Sequence, residues 1–436
     1  MNNKIIDSYF FILFSLIPAA IILGSAVSLI IVLLIDLSFI FFLFYKKEYK
    51  FLSSRVVKLI LLFCLYLIFN SIVSKDSSIG ALRNFGFIRF GVLFCAFNYF
   101  FYYKIFFNKI FIIWSLTLFV LIIDVYIESI TGRNILGYGE LYGDRIVSFF
   151  KDEPIAGGYI NAFYLVIIGY FFSMKDKFSK NYKYYILILS IFFIFSILLT
   201  GERSNTIKAI LGLLIFYFIN DHFKMKERLI TILLIFILIG SLINSSSFLK
   251  LRYQSQFFGA ISSIYRLVSP YNMPLGPPGF VPKENTLHDK ITKGYSSGFS
   301  IYYQQYLSGI NVFKNYPLFG VGNKNYRLEV CQEVKDPNYY CNTHPHQTYF
   351  EFLAEHGLVG TMLLLFILFN LVFSKLKIIL MSKNYIQIGC FIYLFISFIP
   401  FLPSGAFFGD YQLTIFWINL SLMYSVNKRT NIFFKK

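Results

Sequence analysis

Long apolar runs alternate with short polar and basic clusters from one end of the chain to the other. A run of roughly 18 or more apolar residues is long enough to cross a hydrocarbon core of about 30 Å, because a helix advances about 1.5 Å per residue. The pattern predicts about twelve such helices, near 9–22, 26–45, 56–74, 86–103, 110–128, 157–173, 184–200, 204–219, 228–247, 347–374, 385–402 and 410–426. The first two form one continuous stretch, divided at Gly24 and Ser25 because a single helix of that length would overshoot the bilayer. The expected fold class is an all-α polytopic membrane protein. The opening Lys4 and its apolar stretch resemble a signal peptide, but apolar sequence continues past Ala26, so these residues are read as retained helices.

One long hydrophilic stretch interrupts the pattern and divides the chain into three parts. These are an N-terminal bundle of about nine helices (1–247), a large loop (248–346), and about three C-terminal helices with a short tail (347–436). Within the loop, the turn-rich run Pro270 to Pro282 reads as irregular surface chain, and Ser300 to Phe313 has the spacing of an amphipathic surface helix. Lys and Arg in short loops favour the cytoplasm. They cluster at Lys46 to Arg55, Lys104 and Lys109, Lys175 to Lys183, Lys224 to Arg228, Lys375 to Lys383 and Lys428 to Lys436, which puts both termini inside and the large loop outside. Lys75, Arg83, Arg133, Arg145, Lys151 and Arg203 run against that trend.

Composition narrows the class. Hydrophobic residues make up 57% of the 436 and charged residues 14%, with 55 Phe and 33 Tyr. Soluble domains average about 45–50% and about 25%, so a soluble enzyme, a disulfide scaffold and a disordered chain are excluded. The formal charge of +18 sits in juxtamembrane clusters rather than on one face, so it points to membrane lipids and not to nucleic acid. Cys64, Cys95 and Cys390 lie in apolar runs, and no zinc-ligand spacing or other metal site is expected.

The candidate chemistry is densest in Gly320-Val321-Gly322-Asn323-Lys324-Asn325-Tyr326-Arg327 and in Thr343-His344-Pro345-His346-Gln347. His346 is expected to open a helix whose Phe350, Leu353, Gly357 and Gly360 follow on one face, where two glycines admit another helix. A histidine at the water boundary can be neutral and accept a proton near pH 7. The alternative is that His344 and His346 are plain interfacial loop residues.

The spacing from His346-Gln347 to Gly357 and Gly360, with Tyr316-Pro317-Leu318-Phe319-Gly320-Val321-Gly322 upstream, resembles the signature of the bacterial O-antigen ligase and O-antigen polymerase superfamily. The resemblance implies a GT-C-like membrane glycosyltransferase of about twelve helices in the bacterial inner membrane, with a large periplasmic loop before the histidine helix. It further implies transfer of a glycan from an undecaprenyl-diphosphate carrier without metal or other cofactor. A ligase would use a lipid A core sugar as acceptor; a polymerase would use a second carrier-linked glycan. The histidine spacing favours the ligase reading. His346 is then the expected general base. Arg203, in Thr200-Gly201-Glu202-Arg203, matches an arginine of the family at the diphosphate. Snorkelling of Arg203 with Glu202 is the competing reading.

The family pattern also has a second arginine about twenty residues before Gly-x-Gly. That position falls near Tyr302 here, so Arg266 or Arg327 is expected to reach the site from elsewhere in the loop, or else the leaving-group contacts differ. Arg89, inside a span, is expected to bind phosphate or to pair with Glu351 or Glu355. Glu153, in Lys151-Asp152-Glu153-Pro154, is expected to line the acceptor path or to be solvated, and Asp124 and Glu128 to lie at the interface. Gly320, Gly322, His344 and Arg327 complete the expected substrate contacts. Cys331 and Cys341, in a loop outside an inner membrane, are expected to form a disulfide, with free thiols as the alternative. The competing function is a transporter of lipid-linked glycan or anions, but neither repeated halves nor paired broken helices appear. No Asp-x-Asp occurs, which leaves a metal-bound nucleotide-sugar mechanism little support.

Overall fold

The computed structural model describes residues 3–102, 107–139, 145–151, 153–174, 182–255, 298–332, 338–400 and 402–434. Arg266 and the run from Pro270 to Pro282 lie outside the described residues. The described chain is helical: α1 (Asn3–Leu23), α2 (Ser25–Lys46), α3 (Arg55–Ile72), α4 (Ser77–Gly86), α5 (Ile88–Tyr102), α6 (Phe107–Thr131), α7 (Ala156–Ser173), α8 (Tyr182–Leu199), α9 (Arg203–Ile219), α10 (Met225–Ser245), α11 (Gly298–Asn315), α12 (Tyr326–Val330), α13 (Thr348–Phe373), α14 (Leu376–Ser382), α15 (Tyr385–Ser397) and α16 (Asp410–Ser425). Among the described residues nine helical stretches are long and apolar enough to cross a membrane. The chain is a polytopic membrane protein.

Each expected span coincides with a helix, although α9, α15 and α16 fall outside those nine. The span expected at 86–103 is α5, preceded by the shorter α4, which ends at Gly86. The long N-terminal run turns at Gly24, whose φ is 122°. α7 is the centre of the bundle, with nearly every side chain from Ala156 to Phe172 buried. A helix that is apolar all round suits that enclosed position. It lies directly against α15: a Cβ at Gly169 would meet the backbone of Tyr385, and one at Gly389 would meet that of Leu165. Glycines allow this close approach where no hydrophobic driving force acts between helices. Trp417 of α16 stacks on Phe90 of α5 at 6.2 Å and meets Phe87 edge-on.

α15 has 13 residues and α16 has 16. At 1.5 Å per residue these helices advance only about 20 and 24 Å. Their connection is drawn down onto the first turns of α13, where Glu351 accepts the N–H groups of Phe407 at 2.8 Å and Phe408 at 3.5 Å. Backbone N–H groups of an irregular connection buried in protein are satisfied in this way.

Asp124 and Glu128 are not interfacial as expected. Both are buried. Glu128 accepts the N–H groups of Val147 (3.0 Å) and Ser148 (2.6 Å), and Asp124 accepts those of Ile135 (2.8 Å) and the Ser148 hydroxyl (2.6 Å). Hydrogen bonds to the charged form offset desolvation, so these carboxylates staple the loop after α6 onto the bundle.

Candidate active site

The site is organised by a break in α13. At Gly357 the helix adopts φ 62° and ψ −168°, which frees carbonyls in the preceding turn. Val321 and Gly322 donate their N–H groups to Ala354 O (3.0 Å) and Glu355 O (2.9 Å), and Leu358 and Val359 donate to Pro317 O (2.8 Å) and Leu318 O (3.1 Å). The 317–322 segment is thus docked into the break like a short strand. The docking requires small residues on both sides, because a Cβ at Gly357 would meet the Leu318 backbone and one at Gly320 the Glu355 backbone. The expected helix-admitting role holds only for Gly360, which faces Tyr66 of α3; Gly357 admits a loop instead.

The next residues fix this segment to the α3–α4 turn. Asn323 N donates to Asn70 Oδ1 at 2.8 Å, and Asn323 Nδ2 donates to Asn84 Oδ1 at 2.5 Å. Asn325 bonds both the N–H (2.9 Å) and the carbonyl (3.1 Å) of Asp76, and Lys75 pairs with Glu329 at 2.6 Å. Cys331 and Cys341 are joined in a disulfide, which ties the end of α12 to the chain leading into the histidines. A loop this short contributes at most about 2–3 kcal/mol by chain entropy.

His346 does not open the helix. Gln347 caps α13, its side-chain oxygen accepting the N–H groups of Tyr349 (2.8 Å) and Phe350 (3.1 Å), and His346 precedes it with φ 56°. Its carbonyl accepts Ser404 N at 2.8 Å, and its ring lies 4.0 Å from that of His344 and 6.0 Å from that of Tyr302. His344 Nδ1 is 3.0 Å from the Thr343 hydroxyl, while Nε2 is buried without a partner among the described residues. Burial pushes the His344 pKa down to about 3, helped by the neighbouring His346 and Lys324, and burial also lowers that of His346. Both rings are therefore neutral at pH 7.

This shift fixes the sign of the pH dependence. In the unfolded chain a histidine takes up its proton near pH 6.5, and in the folded state both do so only at lower pH. Below pH 6.5 the unfolded state binds more protons, so the stability that comes from these two groups is present at neutral pH and is lost as the pH falls. An activity that needs neutral His346 should likewise keep its plateau down to pH 6.5 and fail only below. A kcat/KM profile with its acid limb above pH 6.5 would contradict this.

The second half of the site is cationic. Arg203 is the first residue of α9, and Glu202 before it does not pair with it as the snorkelling reading expects. The buried Glu202 carboxylate instead accepts the N–H groups of Gly157 (2.6 Å) and Gly158 (3.1 Å) at the start of α7, and the Asn205 amide at 2.6 Å. Unpaired N–H groups at a helix N-terminus are a strong carboxylate site. Burial raises the Glu202 pKa, with these hydrogen bonds and Arg145 pulling it back. Arg203 itself makes no hydrogen bond to a described residue, and it interacts electrostatically with Tyr302, Tyr253 and Arg145.

Two residues that sequence reasoning did not place in the site complete the cluster. Arg252, just past α10, donates to Gly201 O from Nε (3.3 Å) and Nη2 (3.0 Å). Burial lowers its pKa, and the like charges of Arg203 and Arg145 lower it further. Arg145 donates to Pro154 O at 3.3 Å, and its Nε is buried without a partner among the described residues. The signal available was positive charge at Arg145 and Arg252 on the side expected to be poor in it. Arg327, by contrast, is exposed on α12. Tyr302 interacts electrostatically with both Arg203 and Arg252 and also meets the His346 ring, so it is a shared neighbour of the arginines and the histidine pair.

Arg89 pairs with neither Glu351 nor Glu355. It bonds Asp410 at 2.7 Å and lies 4.6 Å over the Phe90 ring, while Arg83 bonds the other Asp410 oxygen at 3.3 Å and Phe408 O at 2.9 Å. Glu351 is already taken by backbone N–H groups. Among the described residues no cluster of three or more His, Cys, Asp or Glu could hold a metal.

Residues 188–365 match a family model described as O-antigen ligase. That match supports membership of the O-antigen ligase and polymerase superfamily. No match was found among curated proteins. The matched stretch contains Arg203, Arg252, the docked 317–322 segment, His344, His346 and both glycines of α13, whereas Arg145 lies outside it. The superfamily implies ligase- or polymerase-type activity on lipid-linked glycans in surface polysaccharide synthesis.

Proposed function

We propose that the protein is an inverting glycosyltransferase that moves a glycan from undecaprenyl diphosphate onto a lipid A core sugar, at the periplasmic face of a bacterial inner membrane. The observation that carries this reading is a neutral histidine that shares Tyr302 as a neighbour with Arg203 and Arg252, beside which Arg145 adds a third positive charge. The acceptor hydroxyl gives its proton to His346 while its oxygen attacks the anomeric carbon from the face opposite the diphosphate. The bond from that carbon to the diphosphate oxygen breaks, and the released negative charge is met by Arg203, Arg252 and Arg145. Bidentate guanidinium groups suit diphosphate, and Arg203 and Arg145 both carry donors that meet no described residue.

The Lys and Arg distribution supports both termini as cytoplasmic and residues 248–346 as the periplasmic part, and the family resemblance supports twelve crossing helices in a GT-C-like plan. A polymerase, with a second carrier-linked glycan as acceptor, would need the same leaving-group chemistry, and the family match covers both members.

Arg203→Lys tests the guanidinium role. The charge is kept but the fork is lost. A charge-assisted hydrogen bond of about 1.5–3 kcal/mol converts to about a 10- to 100-fold fall in kcat/KM. Full activity in purified Arg203→Lys protein would return Arg203 to a snorkelling role.

A further inference from the structure

Both substrates of the proposed reaction are lipid-linked, and the site above accounts for only one. We propose that a second lipid site, for the phosphorylated acyl-lipid anchor of the acceptor, lies in the groove between α1, α6 and the 149–155 segment. This inference rests on the function proposed above.

The groove encloses about 1010 Å³, which is ample for a ligand site. Its wall is apolar: Ile21 and Leu23 of α1 face Leu116 and Val120 of α6. Leu116 is 59% and Val120 55% exposed in the protein alone, so on a membrane-spanning helix this face opens onto lipid. From Ile113 to Val120 the wall follows α6 for about 10 Å. The other end is polar, lined by Ser25, Lys151, Glu153 and Asp410.

An apolar slot open to the bilayer with a polar end at the loops has the shape of a lipid lying with its headgroup outward. The charge at that end favours an anionic headgroup. Asp410 is held by both Arg83 and Arg89 behind the groove wall, which more than offsets its charge, and Lys151 is the cation among the described lining residues. Lys151 lines the groove with φ 56° and ψ −98°, a conformation that side-chain-bearing residues seldom adopt and that persists where the surroundings enforce it.

The position explains how the two lipids would meet. Glu153 and Ile155 line the groove, while Pro154 between them accepts the hydrogen bond from Arg145 of the diphosphate cluster. Tyr411, also lining the groove, donates to Ile155 O at 3.3 Å. The donor diphosphate and the acceptor anchor would sit on opposite sides of one short strip of chain, with the acceptor sugar reaching over it towards His346.

The test uses the full-length protein purified in detergent, with lipid A as probe and native mass spectrometry as readout. The double variant Leu116→Trp/Val120→Trp fills the groove from its lipid-facing side without entering the core. It should bind lipid A at least 10-fold more weakly and raise the acceptor KM by a similar factor, with the donor KM and thermal melting unchanged. Lys151→Glu, which fills nothing, should weaken binding of lipid A but not of its dephosphorylated form. Wild-type affinity in the double variant would overturn the proposal. So would selective loss of undecaprenyl phosphate binding instead of lipid A binding, because the groove would then serve the carrier. If the wild-type protein transfers no glycan, the proposed function fails, whereas loss of lipid A binding in the double variant would still support the groove.

Discussion

His346→Ala should abolish glycan transfer while leaving the protein folded and membrane-inserted. A positioned general base contributes about 10²- to 10⁴-fold, and no other described group is placed to replace it, since His344 is held even further from accepting a proton, near pKa 3. The fold does not depend on the imidazole. The Ser404 bond is made by the His346 backbone, and α13 is capped by Gln347. Alanine at φ 56° carries a backbone cost of its own. His346→Asn, which tolerates that region, is the better control and should lose transfer equally with wild-type melting behaviour. Either variant transferring at more than a tenth of the wild-type rate would remove His346 from the role of base.

Gly357→Ala should be the most damaging single change to the architecture of the site. At φ 62° and ψ −168° the backbone is in a region open essentially to glycine alone. The added Cβ would also meet the Leu318 carbonyl, which cannot move without breaking the four bonds that dock 317–322 into the helix break. Backbone strain of about 1–3 kcal/mol and at least one lost docking bond of about 1 kcal/mol should lower the melting temperature and remove transfer together. Gly360→Ala is the comparison. Its Cβ would meet the Tyr66 side chain rather than backbone, so it should cost less and retain part of the activity. Equal melting of Gly357→Ala and wild type would mean that the break is not required.

The helices were legible because a span must be both long and apolar, and few alternatives satisfy both conditions. Even the turn inside the first apolar run could be placed, since Gly24 is its obvious weak point. The break in α13 was not legible as such. Ala354 to Leu358 continues a helical pattern, and only the partner segment 317–322, far away in sequence, makes interruption favourable. The alternative that pairs Glu202 with Arg203 fails for a similar reason: the two are neighbours in sequence, but the free N–H groups of α7 are better donors and become visible only in three dimensions. For Arg89, charge alone offers phosphate, Glu351 or Glu355 as partner, whereas the short α16 brings Asp410 to it. No arginine stands near Tyr302 in the sequence, and it is the fold, not the spacing, that gathers Arg252 and Arg145 around Arg203.

The most direct measurement is transfer by the purified protein, with EDTA present, from undecaprenyl-diphosphate glycan to lipid A core, followed by mass analysis of the product and its anomeric configuration. The account predicts glycan joined to lipid A core with inverted configuration, and no product from the His346→Asn protein. Chain growth on the carrier instead would make the protein a polymerase. Retained configuration, or transfer that survives His346→Asn, would contradict the mechanism.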